Sequence, residues 1–282
     1  RAWSELKGVG RNLPNPTLLI KPFMQREAVL SSMIEGTQTE MSDLLAYQLR
    51  EAPLPGFDEA RSSEADNREV LNYVKAMEYG MEAVLKHGID EKLLLELHRI
   101  LLNGVRGEYA TPGSFRDEQN FIGPNSNPDN AVYIPPPVPD MRLCMIDLIR
   151  YIQHEDVYTP LIRIGLVHSQ FESIHPFRDG NGRIGRLLVS LLLAQWGLMP
   201  IPLLYLSAYI EANKQTYYTL LQQVDQQGKW KEWLSFFLKG VEEQADDAMR
   251  RGKKLLDLRE EWRIMLNSRK VSKTAERLSD LL

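Results

Sequence analysis

The feature that most constrains the fold is a run of 24 consecutive residues without a charged side chain, residues 187–210. A run of this length could cross a bilayer as a helix, which needs about 20 apolar residues. Gly197, Pro200 and Pro202 interrupt it, however, so only about ten helical residues precede the break, roughly half of a membrane span. A helix of that length that is apolar on all sides usually lies at the centre of a helical core. The run therefore predicts a buried helix in a protein that does not contact a membrane.

Most of the remaining chain shows the 3.6-residue periodicity of amphipathic helices. Apolar side chains recur at this spacing in three segments: Leu30, Ile34, Met41, Leu44 and Leu45; Val70, Val74, Met77 and Met81; Leu94, Leu97 and Leu101. The first segment predicts one long helix from Met24 to about Arg50. Thr159 and Pro160 form a typical helix start, because proline is favoured at the first helical position. Helices should therefore dominate the fold.

Residues 111–139 depart from this helical pattern. Two short β-prone runs, residues 120–122 and 131–134, flank a turn rich in Gly, Pro, Asn, Ser and Asp. Such a pattern predicts an exposed β-hairpin. The expected fold class is accordingly all-α, a helical bundle with one β-hairpin and a C-terminal helical extension.

Composition limits the classes of binding partner and the cellular compartment that the protein can have. Of the 282 residues, 34 are basic and 38 acidic, which gives a net charge of −4. The chain as a whole therefore lacks the excess of basic residues that is typical of a nucleic-acid binder. Cys144 is the only cysteine, which excludes an intrachain disulfide framework and a Cys-based zinc site and fits a reducing compartment. The first residues lack the apolar stretch of a signal peptide. We therefore expect a cytoplasmic protein.

The densest chemical information lies in residues 175–186, which read HPFRDGNGRIGR. Residues 180–185 match the G-x-G-x-x-G dinucleotide pattern, but that pattern requires a preceding strand, whereas residues 161–174 have helical periodicity. The segment instead predicts a helix, a loop closed by Pro176 and a second helix that begins near Gly182. Glycines at its start leave backbone N–H groups open to a ligand, and the helix dipole favours an anion there.

Four side chains add chemistry to this anion site. Arg183 and Arg186 lie three residues apart on one helix face, where guanidinium groups can hold phosphates in bidentate contacts. Asp179 supplies a carboxylate oxygen, the ligand type that magnesium prefers. His175 is the nearby group that can accept a proton near neutral pH. The motif thus combines a base, a metal ligand and an arginine clamp.

This run resembles the H-x-F-x-[DE]-G-N-G-R-x-x-R signature of the Fic family, whose members transfer AMP from ATP to protein hydroxyls. The resemblance implies that His175 deprotonates the target hydroxyl and that Asp179 holds Mg²⁺ against the α- and β-phosphates. It also implies that the nucleotide contacts the remaining motif positions: Gly180, Asn181, Gly182, Arg183, Gly185 and Arg186. The first three of these would form an anion hole, and the two arginines would hold the β- and γ-phosphates.

A second motif lies upstream of this signature. Residues 31–36, SSMIEG, resemble the inhibitory [ST]-x-x-x-E-[GN] motif of the same family. Ser31 and Glu35 are four residues apart on the predicted helix, so the hydroxyl can hold the carboxylate. The resemblance implies that Glu35 inhibits the enzyme, and we expect it to do so by pairing with Arg186.

Two further segments resemble parts of the family's site. The predicted hairpin is similar to the flap that holds the target segment by strand addition. Residues 207–221 are similar to the stretch that closes the nucleoside pocket, where Asn213 is the expected polar contact, with Tyr209 and Tyr217 as weaker candidates. We divide the chain into an N-terminal segment with the inhibitory helix (1–60), a catalytic core with the flap near 111–139 (61–248) and a C-terminal part (249–282) that is a linker or the start of a truncated module.

The expected function is adenylyl transfer from ATP, with magnesium, to a Ser, Thr or Tyr hydroxyl of a protein. Alternatives are other phosphate transfers on this scaffold, such as UMP or phosphocholine transfer, AMP removal with Glu35 orienting water, or an idle regulator that binds nucleotide or DNA. The intact G-N-G-R disfavours the kinase-like variant. Candidate partners are a target docked on the flap, which can be the protein itself, a second copy in a homodimer, and DNA through a missing C-terminal module. The DNA reading depends on residues 250–282, which hold ten basic and five acidic side chains, a net +5.

Overall fold

The computed structural model describes residues 17–48, 63–105, 111–123, 127–154, 156–199 and 203–268. Within these ranges the chain is mainly helical. The helices are α1 (Thr17–Ile34), α2 (Met41–Gln48), α3 (Glu64–His87), α4 (Glu91–Leu101), α5 (Val138–Gln153), α6 (Pro160–Ile174), α7 (Asn181–Gln195), α8 (Ser207–Ala212), α9 (Lys214–Gln227) and α10 (Trp230–Ser268). The expected all-α fold class is confirmed.

Helix α7 lies at the centre of the core, because it is apolar on nearly every side. Leu187, Leu191 and Leu192 are completely buried, and the helix packs against α6, α3, α4 and α1. It ends at Gln195, just before Gly197 adopts a left-handed backbone conformation with φ +63°. The prediction of a short buried helix is thus confirmed. Across the described ranges, none of the helices has both the length and the apolar character that a bilayer span requires.

The prediction of a single helix over residues 24–50 is wrong in the middle of that range, because residues 35–40 are not helical. Helix α1 stops at a Schellman motif, in which Gly36 has φ +99° and the Thr37 N–H donates to the Ser32 carbonyl at 3.2 Å. Glycine adopts this conformation without a steric penalty, which explains its presence here. Chain reversal at this point leaves Glu35 as the last residue of the helix end rather than a mid-helix residue.

The hairpin within the flap region predicted near 111–139, residues 120–134, is called the flap from here on, and it contains less regular β-structure than the sequence predicts. Ile122 and Tyr133 form one antiparallel bridge, with N–H to O distances of 2.9 and 3.1 Å. The described part of the flap has no strand ladder beyond this bridge. Its β-prone runs are only three and four residues long, and residues 135–137 are prolines that cannot donate to a ladder. The hairpin is therefore not confirmed as regular strands.

Helix α10 packs on α6, α8 and α9, where Trp233 is buried and its indole N–H donates to the Gly165 carbonyl at 2.9 Å. Beyond Ala248 its side chains are mostly exposed. Residues 269–282 lie outside the described residues. The division into three segments, including a C-terminal linker or module, stays a prediction.

Candidate active site

The catalytic motif forms the connection between α6 and α7. His175 follows the last residue of α6 in a left-handed backbone conformation, φ +48° and ψ +59°, which is uncommon for a residue with a side chain. Pro176 cannot continue the helix, and Gly180, with φ +80°, precedes α7 as its N-cap. This short connection brings the imidazole close to Asp179, which acts on it electrostatically.

Internal contacts hold the loop between the two helices. The Asn181 side chain accepts from the Phe177 N–H and donates to the Phe177 carbonyl, both at 2.8 Å. The Phe177 ring is buried and stacks on His98 at 3.8 Å between centroids. His98 accepts from the Gly113 N–H through Nδ1 (2.9 Å), so its Nε2 carries the proton and donates to the Asp179 carbonyl (3.0 Å). The Asn181 side chain therefore shapes the loop, and only its backbone N–H is left for an anion.

His175 is suited to accept a proton. Its Nδ1 lies 3.3 Å from the Glu172 carbonyl, which can only accept, so the ring proton belongs on Nδ1 and the Nε2 lone pair is free. Burial lowers the pKa of His175 to about 4. The imidazole is consequently neutral at pH 7, the form that a general base requires.

Asp179 is the exposed acid of the motif, with 48% of its side chain accessible. Its Oδ1 accepts from the Gly180 N–H at 2.6 Å, and its second oxygen has no partner among the described residues. In the same ranges no group of three or more His, Cys, Asp or Glu side chains could hold a metal. One free carboxylate oxygen fits a magnesium ion that takes its other ligands from phosphates and water.

Arg183 is enclosed by the protein. Its side chain is 4% exposed and donates through NH1 to Oε2 of Glu69, on α3, at 2.9 Å. The Glu69 carboxylate is 3% exposed. Arg183 NH2 lies 3.6 Å from Oδ1 of Asp179, while its Nε is buried without a partner among the described residues. The buried carboxylate of Glu69 fixes this guanidinium beside the predicted metal ligand.

Arg186 is bound from the side of α1. Its guanidinium donates to the Ser31 hydroxyl (2.9 Å), the Ser31 carbonyl (3.0 Å) and Oε1 of Glu35 (2.6 Å). Burial alone would raise the pKa of Glu35, but the hydrogen bond from Arg186 and the positive charges of Arg186, Arg183 and Lys214 together outweigh it, so the pKa is lowered. The pair between Glu35 and Arg186 is therefore present, whereas the Ser31 hydroxyl contacts Arg186 instead of holding the Glu35 carboxylate. The predicted contact between the Ser31 hydroxyl and the Glu35 carboxylate is therefore wrong, because Glu35 lies at the helix end.

Glycine at position 182 allows the carboxylate to approach α7. A Cβ atom on Gly182 would lie 2.3 Å from Oε1 of Glu35 and 2.9 Å from NH1 of Arg186. Ile184 is the first residue of α7 whose N–H donates to the preceding turn, to the Gly180 carbonyl at 3.0 Å. The N–H groups before it are those that helix geometry leaves open. Glu35 thus lies against the helix end where an anion is expected to bind.

Helix α1 is bound to the α8–α9 region at two positions, Glu27 and Ile34. Glu27 is buried and accepts from the Ser207 hydroxyl (2.5 Å) and N–H (3.2 Å) at the start of α8. Burial raises the pKa of Glu27 to about 7. At the end of α1, the Lys214 ammonium donates to the Ile34 carbonyl at 2.5 Å. The position of Glu35 therefore depends on contacts with the α8–α9 region.

Two family profiles match the chain. The profile described as Fic/DOC family N-terminal matches residues 1–82, and the profile described as Fic/DOC family matches residues 88–193, which include the whole motif. The chain belongs to the Fic/DOC family. The first match includes Glu35 and the second includes Arg186, so both members of the ion pair lie inside the matched residues.

Curated relatives match part of this Fic/DOC chain. Proteins named protein adenylyltransferase Fic from Drosophila sechellia and Drosophila ananassae are 34% identical over 139 residues, 48% of this chain and 26% of theirs. The chain thus spans about a quarter of the length of these relatives. A crystal structure of a Fic family protein from Desulfovibrio desulfuricans G20 matches 89% of this chain and 72% of its own at 25% identity, with a TM-score of 0.66. A Fic domain containing signaling protein from Bacteroides thetaiotaomicron shares the fold at 19% identity, with a TM-score of 0.69 over 90% of this chain and 97% of its own.

The residues proposed for the nucleoside side of this Fic/DOC site have other partners. Asn213 joins α8 to α9 and donates to the Tyr209 carbonyl at 2.8 Å. Tyr209 is 7% exposed and packs on Phe236, while Tyr217 is completely buried and its hydroxyl lies 2.9 Å from Nε2 of His168. A nucleoside contact by Asn213, Tyr209 or Tyr217 stays a prediction, and the contacts of the two tyrosines are those of core residues.

Gly185 has a packing role that the sequence did not indicate. A Cβ atom there would lie 2.1 Å from Oε1 of Glu172, so glycine lets this carboxyl group approach α7. Its carbonyl accepts from Nδ1 of His168 at 3.0 Å. Oε1 of Glu172 is buried without a partner among the described residues, and burial raises the pKa of Glu172 to about 7. Gly185 is therefore explained by helix packing, and its contact with a nucleotide stays a prediction.

Several residues of the site were not found by sequence reasoning. They are Glu69, His98, Arg116, Glu172, Lys214 and Tyr218. Tyr218 is 42% exposed, and the charges of Glu35 and Arg186 act electrostatically on its hydroxyl. Only Glu172 lies close to the motif in sequence, three residues before His175. The others come from separate helices and loops, and a polar residue on an amphipathic helix gives no signal of which partner it meets.

Proposed function

We propose that this Fic/DOC protein transfers AMP from ATP to a hydroxyl group of a target protein and that Glu35 restrains the reaction. One observation carries the proposal: the neutral imidazole of His175 lies next to a helix N-terminus whose arginine is occupied by a carboxylate. A base next to an anion site is the arrangement that phosphoryl transfer to a hydroxyl requires. The name of the curated relatives, protein adenylyltransferase, supports AMP as the transferred group.

In the proposed reaction, Nε2 of His175 accepts the proton of the target hydroxyl while its oxygen attacks the α-phosphorus of ATP. The new oxygen–phosphorus bond joins AMP to the target. The bond from the α-phosphorus to the oxygen that bridges to the β-phosphate breaks, and its electrons leave with pyrophosphate. General-base catalysis contributes about 10²–10⁴-fold to such a step.

Magnesium, when bound, would neutralise charge on the α- and β-phosphates. Asp179 would be its protein ligand, because its free oxygen is exposed next to the start of α7. The backbone N–H groups of residues 181–183 would hold phosphate oxygens, because the Gly180 N–H already donates to Asp179. Arg183, held by Glu69, would present its remaining donors toward the β-phosphate.

Glu35 would inhibit by competing with the γ-phosphate for Arg186. A charge-assisted hydrogen bond contributes about 1.5–3 kcal/mol, which corresponds to roughly ten- to a hundredfold in the population of the competing phosphate pose. Because Glu35 also lies against Gly182, it would displace the phosphate chain from α7. ATP held in a displaced pose would present its α-phosphorus poorly to the hydroxyl, so we expect turnover to fall more than nucleotide affinity.

We infer that the target segment binds along the flap. Ile122, Val132 and Ile134 are 40%, 53% and 65% exposed there, and the flap's short bridge leaves its backbone available for strand addition. Main-chain pairing selects little sequence, so Ser, Thr and Tyr hydroxyls are all candidate acceptors. A second copy of this chain is one such target.

The test is incubation of the Glu35→Gly variant with magnesium and ATP labelled at the α- or the γ-phosphate, followed by intact-mass spectrometry. We expect α-label and the mass of one or more AMP groups on protein, and neither γ-label nor labelling in the double variant Glu35→Gly/His175→Ala. Glu35→Gln is the matched control, because it keeps the shape of the side chain and removes its charge.

Each alternative function gives a different result in this test. Bound nucleotide without covalent label identifies an idle regulator. Covalent γ-label identifies phosphotransfer, and label from UTP or a phosphocholine donor in place of ATP identifies another transferred group. Loss of AMP from a premodified target identifies the removal reaction with Glu35 as the water-orienting group.

A further inference from the structure

Arg116 is a completely buried cation between the flap and the catalytic loop. Its Nε donates to the carbonyl of His175 at 3.0 Å, and its own backbone N–H donates to the Pro176 carbonyl at 2.8 Å. Arg116 therefore binds the backbone of the proposed catalytic base itself. In the part of the chain that the structure describes, no carboxylate lies within ion-pair distance of its guanidinium.

The same guanidinium holds both ends of the flap. NH1 donates to the Glu118 carbonyl, just before the flap, at 3.2 Å. NH2 donates to the Pro136 carbonyl, just after it. One planar group with fixed donor directions thus joins three backbone positions. Burying a charge without a carboxylate partner is costly, so its hydrogen bonds to carbonyls must all be made.

We propose that Arg116 is a positioning residue that couples the target-binding flap to His175, an inference that rests on the proposed function. A target strand that pairs with the flap would shift the Glu118 and Pro136 carbonyls. Because the Arg116 guanidinium binds these carbonyls and that of His175, the shift would be passed to the backbone of His175. The left-handed conformation of His175 is disfavoured for a residue with a side chain and needs such support.

The charge of Arg116 reaches the imidazole as well as the backbone. Burial is the main cause of the lowered pKa of His175, and Arg116 lowers it further, whereas Glu35 and Asp179 act in the opposite direction. Removal of the positive charge should therefore raise the pKa of His175. Two properties of Arg116 can be separated: its fork of donors orders the flap, and its charge adds to the effect of burial on the pKa of His175.

The experiment compares Arg116→Gln, which loses the charge, with Arg116→Lys, which keeps the charge but loses the fork. Arg163→Gln is the matched control, because Arg163 is also buried and donates to the carbonyls of Tyr151 and His154, away from the site. Three quantities are measured: hydrogen exchange of the flap, the NMR titration of the His175 ring, and kcat and KM for ATP in the Glu35→Gly background.

We expect flap exchange to become at least tenfold faster in both Arg116 variants and to stay unchanged in Arg163→Gln. The His175 titration should move up by on the order of half a pH unit in Arg116→Gln and stay in place in Arg116→Lys. Self-modification kcat should fall at least tenfold in both Arg116 variants with KM for ATP unchanged, because misplacement of a reacting group costs rate.

Unchanged flap exchange in Arg116→Lys, or an equal loss in Arg163→Gln, would overturn the coupling. Exchange and titration are measured without any reaction, so they test Arg116 even if AMP transfer is not the activity. Conversely, if the variants show the expected changes in flap exchange and in the His175 titration but no AMP transfer is detected, the result counts against the proposed function alone. Arg116→Lys retains the buried charge and so decides the flap result if Arg116→Gln does not fold.

Discussion

Two arginines of α7 pair with glutamates from the N-terminal half of the chain, yet the two pairs differ in how firmly they are held. The pair of Arg183 and Glu69 has both side chains 3–4% exposed. The pair of Arg186 and Glu35 has an arginine that is 1% exposed and a glutamate that is 32% exposed. One carboxylate comes from the interior of a helix, and the other from a helix end.

This difference separates a structural contact from one that a ligand can replace. Displacing Glu69 would leave a buried cavity beside Arg183, whereas Glu35 can turn toward solvent, since a glycine-containing loop follows it. Under the proposed function, a phosphate would then take over the hydrogen bonds of Arg186. We therefore expect Arg183 to be a fixed group and, under the proposed function, the pair at Arg186 to be a restraint that a phosphate can displace.

The largest expected effect is on folding, at the buried pair. Glu69→Ala leaves the charge of Arg183 without its buried carboxylate, which should lower the free energy of unfolding by about 3–5 kcal/mol. Glu35→Ala should lower it by only about 1 kcal/mol, because water can reach the vacated place. Urea denaturation of both variants measures the difference.

The double variant Glu69→Leu/Arg183→Met is the control for this prediction. It should recover much of the stability, because an apolar pair replaces two buried charges. Equal destabilisation by Glu69→Ala and Glu35→Ala would show that the two pairs do not differ in the way that their exposure indicates.

The second effect is on activity, at the reversible pair. Glu35→Gly should raise AMP transfer by about ten- to a hundredfold, since Arg186 becomes free for the γ-phosphate. Ser31→Ala should raise it less, because it removes one hydrogen bond from Arg186 and leaves the ion pair. Initial rates with α-labelled ATP measure both.

Arg186→Ala added to Glu35→Gly should remove the gain, because the phosphate then lacks its arginine. Transfer that stays at the wild-type rate in Glu35→Gly would make Glu35 a structural residue or the water-orienting group of AMP removal.

A third effect concerns the attachment of α1 through Glu27. Its folded-state pKa of about 7 is above the ordinary value of 4.5, so its contribution to stability is full below pH 4.5 and lost as the pH rises through 7. Between pH 5.5 and 7.5 the wild type should therefore lose stability, and Glu27→Gln should remove about 1–2 kcal/mol of that loss. Urea denaturation at the two pH values checks this.

Glu82→Gln is the matched control for Glu27, because Glu82 is exposed and its pKa is lowered. This variant should keep the whole decline between the two pH values. A decline of the same size in Glu27→Gln would assign the pH dependence to another group, with Glu172 as the first candidate because burial raises its pKa to about 7 as well.

The smallest effect is expected at Lys214, which holds the end of α1 through one hydrogen bond. Lys214→Met should raise AMP transfer about two- to fivefold, the equivalent of a single such bond. Lys239→Met, in an exposed pair, should have no effect. Lys214→Met should add nothing in the Glu35→Gly background, and a further gain there would show that Lys214 acts independently of the restraint.

Helical class and the buried α7 could be predicted because apolar periodicity is a local property that burial then satisfies. The helix break at Gly36 could not, since a glycine inside a periodic pattern is compatible with either continuation or a Schellman end. The predicted β-hairpin of the flap is not confirmed, because β-prone runs of three or four residues form a ladder only where neighbouring backbone is free to pair.

By itself the sequence predicted the chemistry of residues 175–186, because a candidate base, a candidate metal ligand and a glycine-opened helix end lie within one contiguous segment. It also identified Glu35 as the candidate inhibitor. Only the tertiary structure decided that Glu69 pairs with Arg183 across 114 residues and that Ser31 binds Arg186 across 155. Contacts so distant along the chain depend on how helices pack, and packing is set by the shape and burial of the whole core, which no local pattern contains.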